Sequence, residues 1–263
     1  MSIRDRLRPK TSASVPPAAA AAGTAAEPAP APAPAVEVPR VAGIHVPDDV
    51  LTAIGAAIAA VPIDYGGGSS ITKALVVADL VLEHELSTYV EIGVYKGRSL
   101  MPVGAMFAAL GRGTAVGIDP YSLVEAMQDD LDHFPEETAQ QVNEFVRSQD
   151  WDAMHDGVVA LIDELGCGDH CEIVRATSAS AVERFDDASI DVLHIDGNHD
   201  TESVRADVEA YRPKLSPGAF VVLDDASWPS VRPVHADLSA SGERVFELLD
   251  LPKMNDFAVF RMP

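Results

Sequence analysis

Residues 89–99 read Tyr-Val-Glu-Ile-Gly-Val-Tyr-Lys-Gly-Arg-Ser, and this stretch decides the fold class of the chain. It predicts a short buried strand, a tight turn that contains two glycines, and a helix that starts near Ser99. Glycine lets the backbone bend sharply and approach a ligand without a side chain in the way. The free N–H groups at the start of the helix would attract a carboxylate or a phosphate. The stretch is therefore typical of a ligand-binding unit of an α/β sheet.

Outward from this stretch, short apolar runs alternate with helical segments. The runs are continuous rather than alternating with polar residues, which is typical of parallel strands buried on both faces. The predicted parallel strands are Tyr89–Ile92, Ala115–Ile118, Glu172–Val174, Ile190–Ile195 and Ala219–Leu223. The helices predicted between them are Ser99–Leu110, Ala179–Phe185 and Thr201–Tyr211. We therefore predict an α/β, Rossmann-like, doubly wound sheet.

Two later apolar runs, Arg244–Leu249 and Phe257–Met262, predict the end of the sheet. The gap between them is shorter than the dozen or so residues that a parallel crossover usually needs. The last strand is therefore predicted to be antiparallel. The result is a mostly parallel seven-stranded sheet with one reversed strand at the end of the chain.

The N-terminal region differs in composition from the rest. Residues 1–40 combine many prolines with alanine runs that offer little apolar area, so we predict a disordered Pro/Ala-rich tail and place the domain at 41–263. Two helices are predicted at the start of that domain, Pro47–Ala60 and a second from Ser69 or Ser70 to Glu85. The long connection Tyr121–Gly166 is either a lid over a site or a structural excursion.

Charge and composition exclude several classes of function. The chain carries 41 acidic and 19 basic residues, a formal net charge of −22, which disfavours nucleic-acid and membrane-surface partners. We find no apolar run of the length that a transmembrane helix needs outside the Pro/Ala tail. The two cysteines, Cys167 and Cys171, exclude a disulfide framework and favour a reducing compartment, so we predict a cytoplasmic protein.

The turn and the end of the second strand indicate a nucleoside-containing ligand. Asp119 follows the second strand, where an acid can accept hydrogen bonds from ribose hydroxyls. The dinucleotide fingerprint G-x-G-x-x-G requires glycine where this chain has Tyr95, which weakens the prediction of a nicotinamide cofactor. A purely structural role for Gly93 and Gly97, in helix–strand packing, is the alternative.

With these features, the chain resembles the class I S-adenosylmethionine-dependent methyltransferases from about Ser87 to its C-terminus. The spacing G-x-x-x-G-x-S is similar to that of O-methyltransferases of natural products, such as macrolide-sugar and aminocoumarin enzymes. The resemblance implies these cofactor-binding residues: Glu91, Gly93, Gly97, Ser99, Asp119 and Ser178. It also implies that Asp119 holds the ribose and that Ser178 lies near the adenine.

Three acids follow two later strands. Asp196 comes directly after the fourth strand, and Asp224 and Asp225 come at the end of the fifth. Because parallel strands end at the same edge of a sheet, these carboxylates are predicted to converge, and a hard cation such as Mg²⁺ would relieve their repulsion. The resemblance independently implies a metal at these three positions. Helix caps or residues at the cofactor edge are the alternative.

His199 lies three residues beyond Asp196 and is the candidate catalytic base, because imidazole can accept a proton from a hydroxyl near neutral pH. A packing or capping histidine is the alternative. We therefore expect a Mg²⁺-dependent O-methyltransferase that moves a methyl group from S-adenosylmethionine to a small hydroxylated acceptor. An NAD-dependent oxidoreductase and a non-catalytic partner-docking domain are the rival hypotheses, and a homo-oligomeric state stays open.

Overall fold

The computed structural model describes residues 46–61, 69–132, 136–249 and 256–263. Its strands are β1 (Thr88–Ile92), β2 (Thr114–Ile118), β3 (Cys171–Val174), β4 (Ile190–Ile195), β5 (Leu215–Asp224), β6 (Glu243–Leu248) and β7 (Phe257–Arg261). The longer helices are α1 (Asp48–Ala60), α2 (Ile71–Glu83), α3 (Leu100–Leu110), α5 (Glu136–Ser148), α6 (Trp151–Glu164), α8 (Thr201–Tyr211) and α9 (Arg232–Ser241). Two single-turn helices, α4 (Leu123–Ala126) and α7 (Ser178–Ala181), complete the set.

The seven strands form one sheet in the order β3-β2-β1-β4-β5-β7-β6. Strands β1 to β5 pair in parallel, whereas β7 is antiparallel to both β5 and β6. The doubly wound fold class and the antiparallel last strand are both confirmed. The strand order reverses between β1 and β4, and in open α/β sheets the ligand crevice lies outside the carboxyl ends of the strands at this place.

Each face of the sheet packs on its own apolar core. Helices α1, α2, α3 and α6 cover one face, and α7, α8 and α9 cover the other. Side chains alternate between the faces along a strand, so Tyr89 and Glu91 of β1 point toward α2 and α3, as does His194 of β4. These polar side chains thus lie beneath an otherwise apolar helical layer.

Two elements differ from the predictions by more than two residues, each for a local reason. Strand β5 begins at Leu215, before the predicted Ala219, because the Ser-Pro-Gly segment joins the sheet beside an irregular register at Ile190. The helix predicted at Ala179–Phe185 is one α-turn, α7, followed by a 3₁₀ turn at Val182–Arg184.

The N-terminal predictions have different outcomes. Helices α1 and α2 match the predicted segments, and Ser70 is the N-cap of α2, since its side chain accepts a hydrogen bond from the Lys73 amide. The predicted tail at 1–40 lies outside the described residues. Within the described ranges, no helix combines the length and the apolar character needed to cross a membrane.

Candidate active site

The glycine turn after β1 packs against the loop after β4. Gly93 has φ +85°, and a Cβ atom there would lie 2.1 Å from the carbonyl oxygen of Asp196. The Asp196 amide in turn donates to the Ile92 carbonyl at 2.8 Å. Only glycine fits this position, both because of its φ and because of the backbone opposite it. The turn predicted to hold the cofactor is therefore built directly beside the predicted acid cluster.

Asp119 holds the glycine turn from the end of β2. Its carboxylate accepts the backbone N–H groups of Val94 at 2.9 Å, Tyr95 at 3.0 Å and Tyr121 at 2.7 Å. Both tyrosines have positive φ, a conformation that costs a non-glycine residue of the order of 1–3 kcal/mol. Burial raises the pKa of Asp119, and the three hydrogen bonds oppose that rise. The carboxylate therefore organises the turn, and its contact with a ribose stays a prediction.

Glu91 and Ser99 meet beneath the turn. The Ser99 hydroxyl donates to Glu91 Oε1 at 2.7 Å, and the Tyr89 hydroxyl donates to Oε2 at 2.6 Å. Glu91 has no exposed surface, so its contacts in the structure are internal. It links the strand to the start of α3, where the resemblance places the donor.

Ser178 lies four residues beyond β3 and is the first residue of α7. Its hydroxyl donates to a carboxylate oxygen of Asp207 on α8, and its carbonyl accepts from the Tyr211 hydroxyl at 3.0 Å. Burial raises the pKa of Asp207 to about 6. Ser178 is thus tied to α8, and its proximity to an adenine stays a prediction.

The structure brings the three predicted metal ligands to one edge of the sheet but divides them between two groups. The ligating atoms of Asp196, His199 and Asp225 lie within 4.8 Å of one another, and so do those of His194, Asp196 and Asp224. Burial and the charge of Asp224 raise the pKa of Asp196 well above its usual range. Asp196 is therefore common to both groups, whereas the adjacent Asp224 and Asp225 face different partners.

His199 lies between Asp225 and the long connection after β2. Its Nε2 is 2.8 Å from Asp225 Oδ2, and its Nδ1 is 3.2 Å from the amide nitrogen of Gln128. The Trp228 ring lies against the imidazole with the centroids 4.7 Å apart. Burial lowers the pKa of His199, but the carboxylates of Asp225 and Asp224 outweigh that effect and raise it. The predicted base is held by a carboxylate on one side and by an amide on the other.

The connection after β2 lies over the loop that carries His199. The Asn198 side chain donates to the carbonyl of Met127 at 2.8 Å. The carboxylate of Asp200 accepts the amides of Asp129 and Asp130. Residues 127–130 therefore cover one side of the site, which favours the lid over a remote structural excursion.

Sequence reasoning missed Lys73, which reaches the acid edge from α2. Its ammonium group forms an ion pair with Asp224 Oδ2, and both side chains are almost fully buried. Burial favours the neutral amine, yet the carboxylates of Asp224 and Asp196 raise the pKa of Lys73 above its usual value. A signal was available, because Lys73 stands one helical turn before the buried Val76 and Val77, on the apolar side of α2.

His194 was missed as well. Its Nδ1 is 3.1 Å from Glu91 Oε2 and its Nε2 is 3.4 Å from Asp224 Oδ2, with no exposed surface on the imidazole. Burial lowers the pKa of His194, but the two carboxylates raise it overall. Glu91 and His194 interrupt apolar strands, and buried charges require partners, so the pair could have been suspected.

Residues 90–226, just over half of the 263, match the protein family described as a methyltransferase domain. The chain belongs to this methyltransferase family. Membership confirms the class I methyltransferase prediction and disfavours the oxidoreductase and docking-domain hypotheses.

Solved structures share the fold of the methyltransferase domain. The O-methyltransferase NovP aligns with a TM-score of 0.50 at 15% identity, covering 69% of this chain and 74% of NovP. Cofactor-bound Rv0187 from MTB aligns at 0.53 and 15% identity, covering 82% and 90% of the two chains. The O-methyltransferase TomG of Streptomyces achromogenes, solved with SAM, aligns at 0.50 and 14% identity, covering 84% and 92%.

A curated relative matches only a short segment. The uncharacterized protein y4gI of Sinorhizobium fredii is 42% identical over 53 residues, which is 20% of this chain. The match spans 6% of the length of that relative. No activity is stated for y4gI, so this match adds no information about the reaction.

Proposed function

We propose that this methyltransferase domain transfers a methyl group from S-adenosylmethionine to a hydroxyl oxygen of a small molecule. The observation that carries the proposal is the contact of His199 Nε2 with Asp225 Oδ2, 2.8 Å apart, at the carboxyl edge beside the glycine turn. A histidine oriented by a carboxylate is suited to accept a proton from a hydroxyl. The fold shared with the O-methyltransferases NovP and TomG supports oxygen as the methyl acceptor atom.

The donor would bind at the glycine turn. Gly93 lets the turn pack closely against the backbone of Asp196, and Asp119 keeps the turn in its left-handed conformation. Ser99 lies at the start of α3, which offers free N–H groups to the carboxylate of the donor.

The proton would leave through His199. In the tautomer that carries its hydrogen on Nε2, toward Asp225, the Nδ1 lone pair faces the Gln128 amide and can accept a hydrogen bond. An acceptor hydroxyl that displaces the amide would donate to Nδ1. Its oxygen then attacks the methyl carbon, the carbon–sulfur electron pair moves to sulfur, and the hydroxyl proton passes to Nδ1. The products are the methyl ether, neutral S-adenosylhomocysteine and an imidazolium that Asp225 stabilises.

The proposal includes a magnesium ion held by two of the three predicted ligands, Asp196 and Asp225. The carboxylates of Asp196 and Asp225 fit a divalent cation, since an oxygen of each belongs to one group of possible ligand atoms that all lie within 4.8 Å of one another. When bound, the ion would lower the pKa of the acceptor hydroxyl. Asp224 faces Lys73 instead.

A sugar or phenol of a natural product is the proposed acceptor class. A cavity of about 530 Å³ lies within the long connection, and Gln128, whose amide contacts His199, is one of its lining residues. Its lining is mostly polar and includes Gln128, Asp132, Glu136, Gln140, Asn143 and Arg147. Such a lining suits a ligand with several hydroxyl groups.

The free buried thiols of Cys167 and Cys171 support a cytoplasmic location.

Methyl transfer from labelled donor to a panel of sugars and phenols tests the proposal. His199→Gln keeps a polar side chain without a basic nitrogen, so kcat should fall by about 10²–10⁴-fold. Donor affinity by calorimetry should stay within threefold of the wild type. His84→Gln, an exposed histidine at the far end of α2, is the matched control. A His199→Gln enzyme with wild-type turnover would remove this residue from the reaction.

A further inference from the structure

Lys73 and Asp224 come from elements that are far apart in sequence but are held together at the acid edge. The two residues are 151 positions apart, and the Lys73 ammonium contacts Asp224 Oδ2 directly. The exposed fractions of their side chains are 3% and 6%. A buried carboxylate next to a buried ammonium already has the positive charge that a metal ion would otherwise bring.

Asp224 has protein partners at both of its oxygens. Oδ2 faces the ammonium and also lies 3.4 Å from His194 Nε2. Oδ1 accepts the amide N–H of Asp225 at 3.3 Å. A cation that used Asp224 would have to displace Lys73, or lie beside its ammonium and be repelled by it.

Asp225 has the opposite environment. It has φ +47°, and its amide donates to the Asp256 carbonyl at 3.0 Å, so the chain turns immediately after β5. This turn directs its carboxylate toward His199 and away from Lys73. Its side chain is 18% exposed, whereas that of Asp224 is 6% exposed. The adjacent acids are therefore divided, one toward the protein interior and one toward the cleft.

The position of Lys73 is fixed by the glycine turn itself. Arg98, inside the turn, donates to the carbonyl of Ser69 at 2.8 Å and to the carbonyls of Ile58 and Val61. Ser70 then caps α2 through the amide of Lys73. The loop that is proposed to hold the donor thus also anchors the helix that supplies the ammonium group.

We propose that Lys73 is a built-in cation that takes the place of a metal ion at Asp224, so that Asp224 is a positioning residue and only Asp196 and Asp225 ligate a divalent ion. The inference deepens the proposed function and rests on it, because it concerns the same acid edge. Asp224 would hold His194 and Lys73 in place beneath the cleft, and Asp225 would carry the external ion.

Mn²⁺ binding to the full chain, measured by electron paramagnetic resonance without donor or acceptor, tests the inference. Asp225→Asn should weaken Mn²⁺ binding at least tenfold, and Asp224→Asn should change it less than threefold. Equal losses in the two variants would overturn the inference. Both variants keep the size of the side chain, and circular dichroism and thermal melting would verify that they are folded.

A second variant, Lys73→Met, should strengthen Mn²⁺ binding instead of weakening it. Lys73→Met removes the charge and keeps the apolar stem, so it frees Asp224 and should tighten Mn²⁺ binding at least tenfold. The double variant Lys73→Met/Asp224→Asn should lose that gain. Lys214→Met, which removes a lysine paired with Asp187 at the surface, is the matched control and should leave binding unchanged.

A folded Lys73→Met protein that binds Mn²⁺ no more tightly than the wild type would overturn the inference. The titration contains no reaction, so this outcome is distinct from a failure of the proposed methyl transfer. That failure would appear only in the assay with labelled donor.

Discussion

Glu91 Oε2 and His194 Nδ1 lie 3.1 Å apart across the paired strands β1 and β4, and neither side chain has any exposed surface. The same imidazole faces Asp224, which pairs with Lys73. A charged imidazole and ammonium would balance the two carboxylates, which allows these charges to remain inside the domain. The buried network therefore connects the donor turn, through Ser99 and Glu91, to the acid edge.

Glu91→Gln should lower the free energy of unfolding by about 3 kcal/mol, because it leaves the charges of His194 and Lys73 with one carboxylate fewer inside the protein. Urea unfolding at pH 7 measures this change. Glu172→Gln, which alters a half-exposed pair with Arg184, is the control and should cost less than about 1 kcal/mol. Equal stability of Glu91→Gln and the wild type would contradict a charged network.

Asp119→Asn should weaken the binding of S-adenosylmethionine by about 1.5–3 kcal/mol, since an amide cannot replace a carboxylate that accepts several hydrogen bonds. The left-handed Tyr95 and Tyr121 lose part of their support, so the melting temperature should also fall. Calorimetric titration with the donor measures the affinity. Asp169→Asn, at an exposed turn, is the control. Unchanged donor affinity in a folded Asp119→Asn protein would remove this residue from the donor site.

Asp207 should make the domain less stable as the pH rises. Burial raises its pKa from 3.8 to about 6, so the native state holds this proton more tightly than the unfolded state does. Stability that is present at low pH is therefore lost as the pH rises through the native pKa, by about 1 kcal/mol between pH 5 and pH 7. Asp207→Asn cannot titrate. Urea titrations at pH 5 and pH 7 measure the free energy of unfolding of the wild type and of Asp207→Asn. The difference between the two proteins should fall by about 1 kcal/mol from pH 5 to pH 7. A difference that does not vary with pH would be evidence against a raised pKa of Asp207.

Chelation should abolish methyl transfer, and added Mg²⁺ should restore it, while donor affinity changes little. Asp225→Asn should raise the Mg²⁺ concentration needed for half-maximal turnover by at least tenfold, because it removes one of the two proposed carboxylate ligands. Turnover at increasing Mg²⁺ with saturating donor measures this requirement. Normal turnover in excess chelator would end the metal-assisted mechanism and leave His199 to act on a more acidic acceptor.

The acid edge illustrates how far sequence reasoning reaches. Parallel strands end at the same edge, so the approach of Asp196 to Asp224 and Asp225 could be predicted from strand ends alone. The division of these three acids into two groups could not be predicted from the sequence. It depends on the left-handed turn at Asp225 and on a lysine from a helix that precedes the first strand.

The sequence by itself determined the alternation of strands and helices, the glycine turn and the reversed last strand. These features follow from local periodicity, backbone preference and connection length, each of which is encoded in neighbouring residues. Only the tertiary structure decided the partners of the buried charges: Lys73 for Asp224, His194 for Glu91, and three backbone amides for Asp119. A charge is stabilised by whatever group lies within a few ångströms of it, and the packing of distant segments determines which group that is.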